Sequence, residues 1–224
     1  MNYDIHNAYD PYPRDTEEDI ERVKQKLVEY QQAMRKAFPR LRDEIESEDR
    51  DLDSVYNAAR PFYESSNYLP MHEDDLPVLE HFCRRILELR GPRSTQIQKI
   101  LLRMIGATAS PESAPFLQEM WRYSRQRDHF GPERRQLALW GLARIAVRHE
   151  LPEAYATLQE GLGDPHADVR YTAVDFISDA YYIVDKKIPL QIMERVRDIA
   201  DLDPDKVVQR LAHRSLQQTW AKEA

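Results

Sequence analysis

The chain has 224 residues, of which 39 are Asp or Glu and 32 are Lys or Arg, giving a formal net charge of −7. An acidic balance argues against a general nucleic-acid binder, because neutralising phosphates requires clustered cations. A single cysteine, Cys83, excludes an intramolecular disulfide, and the start MNYDIHNAYD lacks the basic and apolar regions of a signal peptide. No apolar run is long enough to span a bilayer, so the expectation is a cytoplasmic protein with no membrane contact.

In chain order, residues 1–14 form a leader rich in Tyr and Pro, and residues 15–75 a helical N-terminal cap. Within the cap, Thr16 to Phe38 is expected to be a charged helix, with Ile20, Val23, Leu27, Tyr30, Met34 and Ala37 spaced by three and four. Thr16 would cap it, the acids Glu17, Glu18 and Asp19 suit its positive end, and Pro39 should break or kink it. Leu41 to Arg60 reads as one or two short helices, in which the run Glu44, Glu46, Glu48, Asp49, Asp51, Asp53 is a solvated face and turn; residues 61–75 read as a loop.

From 76 to 224 the pattern becomes one of helix pairs. Leu76 to Leu89, with Leu79, Phe82, Cys83, Ile86 and Leu87 facing inward, pairs with Thr95 to Ala107. Pro111 to Arg125 pairs with Pro132 to Arg148, Pro152 to Leu162 with Pro165 to Val184, and Pro189 to Ala200 with Pro204 to Trp220. Most of these begin at a proline, which costs nothing in the first turn of a helix, and Asp164 is expected to cap the helix that Pro165 starts. No segment alternates as a strand would, and an all-α fold is predicted.

The second helices share one frame. Around Ala173 the positions −4, −1, 0, +3, +4 and +7 hold Val169, Thr172, Ala173, Phe176, Ile177 and Ala180. Equivalent columns are Arg134, Leu137, Ala138, Gly141, Leu142 and Ile145; Val208, Leu211, Ala212, Ser215, Leu216 and Thr219; and Ile97, Ile100, Leu101, Met104, Ile105 and Thr108. The anchors Leu101, Ala138, Ala173 and Ala212 are spaced by 37, 35 and 39 residues, a period that marks a repeat array. The stretch Asp164, Pro165, Val169, Arg170, Ala173, Phe176, Ile177 resembles the second helix of a HEAT repeat. The Ala138 unit keeps Arg135, and the Ala212 unit keeps Asp203, Pro204 and Val208 with Gln209 in place of Arg. The resemblance implies an α-solenoid of about four helix pairs behind the cap, and no particular activity.

Charge is unevenly spread. From Arg84 to Arg148 there are 13 Lys and Arg against 5 acids, so this stretch is +8 and the remainder −15. On the second helices the positions two before and two after each anchor, with their neighbours one turn on, face away from the buried columns. They carry Lys99 and Arg103; Gln136, Trp140 and Arg144; Tyr171, Asp175 and Asp179; Arg210 and Arg214. Aromatics beside charges of both signs suit a groove that grips a protein or peptide, since they offer area at low entropic cost together with planar donors.

The expected function is therefore a non-catalytic binding module or adaptor, with no cofactor and no metal. Two other readings come from different classes. The +8 stretch could bind nucleic acid, with Arg122, Arg125, Arg127, Arg134 and Arg135 between Trp121 and Trp140 meeting phosphates; the HEAT-like alkylpurine DNA glycosylases use residues similar in kind to Trp140, Asp175 and Arg103. The −15 flanks could belong to an acidic inhibitor or immunity-type protein. His72, Glu73, Asp74 and Asp75 could touch a cation but are explained more simply as an acidic helix start. Cys83, two residues from His81 and unable to face it on a helix, reads as a core residue rather than a nucleophile.

Overall fold

The computed structural model describes residues 16–49, 51–65, 73–87, 89, 91–126, 131–149, 151–184 and 190–217. Among these residues every regular element is helical, and no helix is long and apolar enough to cross a membrane. The chain divides into two units, Met1–Thr108 and Ala109–Ala224. The leader 1–14, His72, Pro189, Thr219 and Trp220 lie outside the described residues, as do the side chains of Ile20, Val23, Leu27, Tyr30, Met34, Asp179 and Ala180.

The first unit contains α1 (Glu17–Glu46), α2 (Leu52–Ser65), α3 (Leu76–Ile86) and α4 (Pro92–Thr108). Helix α1 packs on α2, α3 on α4, and α2 along α4. Helix α1 does not end before Pro39; it runs through it to Glu46. An internal proline costs a hydrogen bond and a clash worth about 3 kcal/mol. Here Pro39 itself is exposed while Phe38, Leu41 and Ile45 on either side are buried, and Phe38 meets Phe62 edge-on at 6.4 Å. Burial of three large side chains offsets the local cost. Pro61 in α2 is carried in the same way, next to the fully buried Phe62, so residues 61–65 are helical rather than part of a loop.

The acidic run is also more than a solvated face. Asp51 precedes α2, and its carboxylate accepts hydrogen bonds from the backbone of Asp53 and Ser54 and from the Ser54 hydroxyl, at 3.2 to 3.3 Å. It thereby satisfies donors that a helix start leaves open. Helix α2 buries Val55, Ala58, Ala59 and Phe62, the columns −4, −1, 0 and +3 about Ala59, so the frame of the second helices extends into the segment read as a cap. In α3 and α4 the expected inward residues Leu79, Phe82, Cys83, Ile86, Ile97, Ile100, Leu101, Met104 and Ile105 are buried, while Leu87 and Thr108 are partly exposed. Gly91, at φ +145°, makes the turn into α4, a conformation that side chains other than hydrogen rarely adopt.

The second unit contains α5 (Ala114–Gln126), α6 (Gly131–His149), α7 (Pro152–Leu162), α8 (Ala167–Val184), α9 (Leu190–Leu202) and α10 (Lys206–Leu216). Helix α5 packs on α6, α7 on α8 and α9 on α10, while α6 lies along α8 and α8 along α10. Ala138, Ala173 and Ala212 are fully buried at these contacts. Arg134, in a column where an aliphatic side chain is expected, is nonetheless 5% exposed, and its Nε has no hydrogen-bond partner. Leu137, Thr172, Phe176 and Leu216 are half-buried rather than sealed. Trp121 is buried and its indole N–H donates to Glu160 at 3.0 Å. Gly161 lets the Leu139 side chain approach closely, since a Cβ there would lie 2.6 Å from a Leu139 methyl, which would have to shift.

Helices α8 and α10 begin two residues later than their prolines suggest, because the preceding aspartates serve another purpose. Asp164 does not cap α8; its Oδ1 accepts from the His166 N–H at 2.9 Å, forming a turn, and the carboxylate is aimed at Arg135. Arg135 Nη2 donates to Oδ1 at 3.0 Å, with Nε 2.9 Å from Oδ2 but off the hydrogen-bond direction. One helix pair further, Asp203 accepts from the Asp205 N–H at 2.8 Å and takes both Nε and Nη2 of Arg170, at 2.6 and 2.8 Å. Asp205 is the actual cap of α10, accepting from Val207 and Val208 N–H. Arg170 also donates to the Asp164 carbonyl at 2.8 Å, so Arg135, Asp164, Arg170 and Asp203 form one connected buried series.

Candidate functional site

Three neighbouring helices in the second unit place their unburied positions in rows. Two residues before the anchors stand Gln136 on α6, Tyr171 on α8 and Arg210 on α10; two residues after them stand Trp140, Asp175 and Arg214. Contacts between helices fix the register of α6 on α8. Gln136 Nε2 donates to the Asp168 carbonyl at 3.0 Å and to the Thr172 hydroxyl at 3.3 Å. One turn along, the Trp140 and Phe176 rings meet at 6.4 Å with their planes at 58°. The Arg144 guanidinium lies 5.1 Å from the centre of the Trp140 ring, within cation–π range.

The groups on this ridge differ in how far their hydrogen-bonding needs are met. The Gln136 Nε2 is used in fixing α6 to α8. Among the described residues the Trp140 indole N–H, the Tyr171 hydroxyl, the Asp175 carboxylate and the guanidinium groups of Arg210 and Arg214 make no hydrogen bond or ion pair within the protein. Tyr171, Arg210 and Arg214 are exposed, so water can serve them; Trp140 and Asp175 are half-buried. Burial pushes the Asp175 carboxyl above its ordinary value, and the attraction of Arg214 only partly pulls it back.

Lys99 and Arg103 belong to α4 in the first unit, and Arg103 lies 5.1 Å over the ring of Tyr63 on α2. That helix pair carries a second outward ridge, missed in the sequence. Arg93 forms an ion pair with Asp53, donates to Gln96 at 3.0 Å and lies 4.1 Å over Tyr56. The repeating interval of three to four between Asp53, Tyr56, Arg60 and Tyr63 is the signal that could have found it.

The arginine run considered for phosphate contact is largely consumed by the fold. Arg134 and Arg135 are buried, as is Trp121, while Arg122 is exposed and Arg125 and Arg127 lie outside the described side chains. Cys83 is a buried free thiol. Asp75 makes no side-chain capping bond at the start of α3, and among the described residues no group of three or more His, Cys, Asp or Glu could hold a metal ion. A cavity of about 410 Å³ that no sequence pattern announced lies between α1 and α3, with Ile45, Val78 and Phe82 as its apolar lining and Glu46, His81 and Arg85 as its polar residues. Compared with protein-family models, curated proteins and solved structures, the chain matches none.

Proposed function

We propose that this chain is a non-catalytic protein-binding module, a HEAT-like array of helix pairs that holds a peptide or protein segment on the ridge of α6, α8 and α10. The observation that carries this reading is the half-buried pair Trp140 and Asp175, whose indole N–H and carboxylate make no hydrogen bond among the described residues, Arg214 only partly offsetting the burial of Asp175. A partly desolvated group without a partner costs free energy in the isolated chain and returns it when a ligand completes the hydrogen bond. Tyr171, Arg210 and Arg214 around them supply an exposed aromatic and planar donors of the kind that dominates interface energetics.

Immobilised full-length protein should capture a discrete partner from a soluble extract, and Trp140→Ala with Tyr171→Ala should lower that capture at least tenfold. Tyr171 is exposed and Trp140 half-buried, so the melting temperature of the double variant should fall by only a few degrees. Capture that survives both substitutions, or a melt that collapses, would remove the ridge as the binding face. Nucleic-acid binding has less support, because Arg134 and Arg135 are withdrawn from the surface; a gel shift that weakens steeply with salt would restore it.

A further inference from the structure

We infer that Asp175 is the specificity-determining acceptor of that ridge, seating a cationic Lys or Arg side chain of the partner whose stem lies along Trp140 and Tyr171. The inference rests on the proposed use of this ridge for protein binding and names the chemistry it selects.

The argument begins with position. Asp175 lies between Trp140 on α6 and Arg214 on α10, in the row two residues after the anchors, and one turn along α8 from the exposed Tyr171. A carboxylate with an aromatic residue on the neighbouring helix and another one turn along its own suits a guanidinium or ammonium group: the carboxylate takes the charge, and the rings take the alkyl stem and the cation's face. Trp140 already accepts the Arg144 guanidinium in this way.

Magnitude then decides which charge on the ridge selects the partner. Arg210 and Arg214 are exposed and remain hydrated, and exposed charges contribute little to affinity. Asp175 is half-buried, has no hydrogen bond among the described residues, and is short of solvation despite Arg214, as its raised pKa reflects. A cationic group arriving there replaces missing solvation, whereas an anion meeting Arg210 exchanges one hydrated state for another. Arg214 competes for the same carboxylate, which gives the inference a signed consequence: removing Arg214 should improve binding of a cation.

The experiment uses the full chain labelled with nitrogen-15. It is titrated with acetyl-Arg-amide, acetyl-Gln-amide and acetyl-Glu-amide up to roughly 10 mM, suited to weak small probes. The Trp140 indole signal, assigned by its loss in Trp140→Phe, is the readout. Acetyl-Arg-amide should bind at least fivefold more tightly than the Gln probe, and Asp175→Asn should reduce that preference to less than twofold. Arg214→Gln should raise affinity for the Arg probe about two- to threefold. Equal binding of the Gln or Glu probe, no shift with any probe, an unchanged preference in Asp175→Asn, or weaker Arg binding in Arg214→Gln would each overturn the inference. Loss of capture in Trp140→Ala with Tyr171→Ala, alongside no Arg preference, would leave the ridge as the binding face and defeat only the role given to Asp175.

Discussion

Three residues before each anchor, α6 and α8 carry Arg135 and Arg170, whereas α4 of the first unit carries Gln98. The two arginines reach out of their own helix pair to the turn of the next, where Asp164 and Asp203 wait. Gln98 turns back within its pair and donates to the Ile86 carbonyl at the end of α3, at 2.7 Å. Gln209 on α10, in the same column, likewise donates to the Asp201 carbonyl at the end of α9, at 3.2 Å. A long cation at this position therefore joins successive pairs, and a shorter amide closes one pair on itself. The outward ridges differ in the opposite sense. That of the first unit is self-paired, through Arg93 to Asp53, Gln96 and Tyr56; that of the second gives Trp140 the Arg144 guanidinium and Asp175 the attraction of Arg214, but no hydrogen bond to the indole N–H or the carboxylate. The second unit thus pairs Arg135 and Arg170 between its helix pairs, while the buried Arg134 Nε among them goes without a partner.

The contrast breaks most visibly at Asp203. Asp203→Ala would leave Arg170 buried at 8% exposure with only the Asp164 carbonyl as partner, and should cost about 3–5 kcal/mol in urea denaturation. Replacing both members with leucine or methionine should cost far less, because no uncompensated charge remains. This pair also sets a pH limb. Burial alone would push the Asp203 carboxyl up, but the Arg170 hydrogen bond, the Asp205 N–H and the charges of Arg170 and Arg195 together hold it below the ordinary carboxylate value. The unfolded chain accepts a proton that the folded chain refuses. Stability present at neutral pH is consequently lost as pH falls from the ordinary carboxylate value through the lower folded value. In the paired double variant that limb should flatten.

The neutral rung should be the cheaper one to break. Gln98→Ala removes one of two donors to the Ile86 carbonyl, which keeps the Leu89 N–H at 3.2 Å, and should cost about 0.5–1.5 kcal/mol by the same measurement. A loss as large as that of Asp203→Ala would mean that charge is not what separates the two units. Arg134→Val tests the comparison from the other side. It restores an aliphatic side chain to a buried column and removes an Nε without a partner, so stability should rise by about 1 kcal/mol. A loss would show that the Arg134 stem fills space that valine cannot.

Some of this was legible in the sequence because burial is written in residue types. The spacing of Ile97, Leu101, Met104 and Ile105, or of Val169, Ala173 and Ile177, admits few other readings, and those side chains are buried. Local rules failed where tertiary contact overrode them. Pro39 and Pro61 announce helix ends, yet Phe38, Leu41 and Phe62 bury enough surface to carry the helices through. Asp164 reads as a cap because caps are commonly aspartates; its partner Arg135 is 29 residues away and no local pattern points to it. The frame about Ala59 was hidden because α2 lacks the Asp-Pro turn that made the later helix pairs conspicuous. The outward positions of the ridge could be read from periodicity, but which of them lack partners depends on neighbouring helices.

The smallest effect concerns the one ridge residue whose sign runs against the buried pairs. Asp175 has a raised folded pKa, caused first by burial and moderated by Arg214, with Arg144 and Arg210 the other cations on the ridge. A raised folded value means that the folded chain takes up a proton before the unfolded chain does. The group supports folding at low pH, and that support is lost as pH rises through the folded value. At neutral pH the ionised carboxylate is therefore a small burden, and Asp175→Asn should raise the melting temperature by roughly 1 °C, discounted because the group is half-exposed. The same substitution should change nothing at a pH low enough to protonate the carboxyl. A gain in stability at neutral pH together with loss of the Arg preference would mark Asp175 as a residue kept for binding at the expense of folding, the trade expected where function needs an unsatisfied group. A fall in stability at neutral pH would instead make it part of the scaffold, paired with Arg214 in solution, and the ridge of the second unit would then be as self-contained as that of the first.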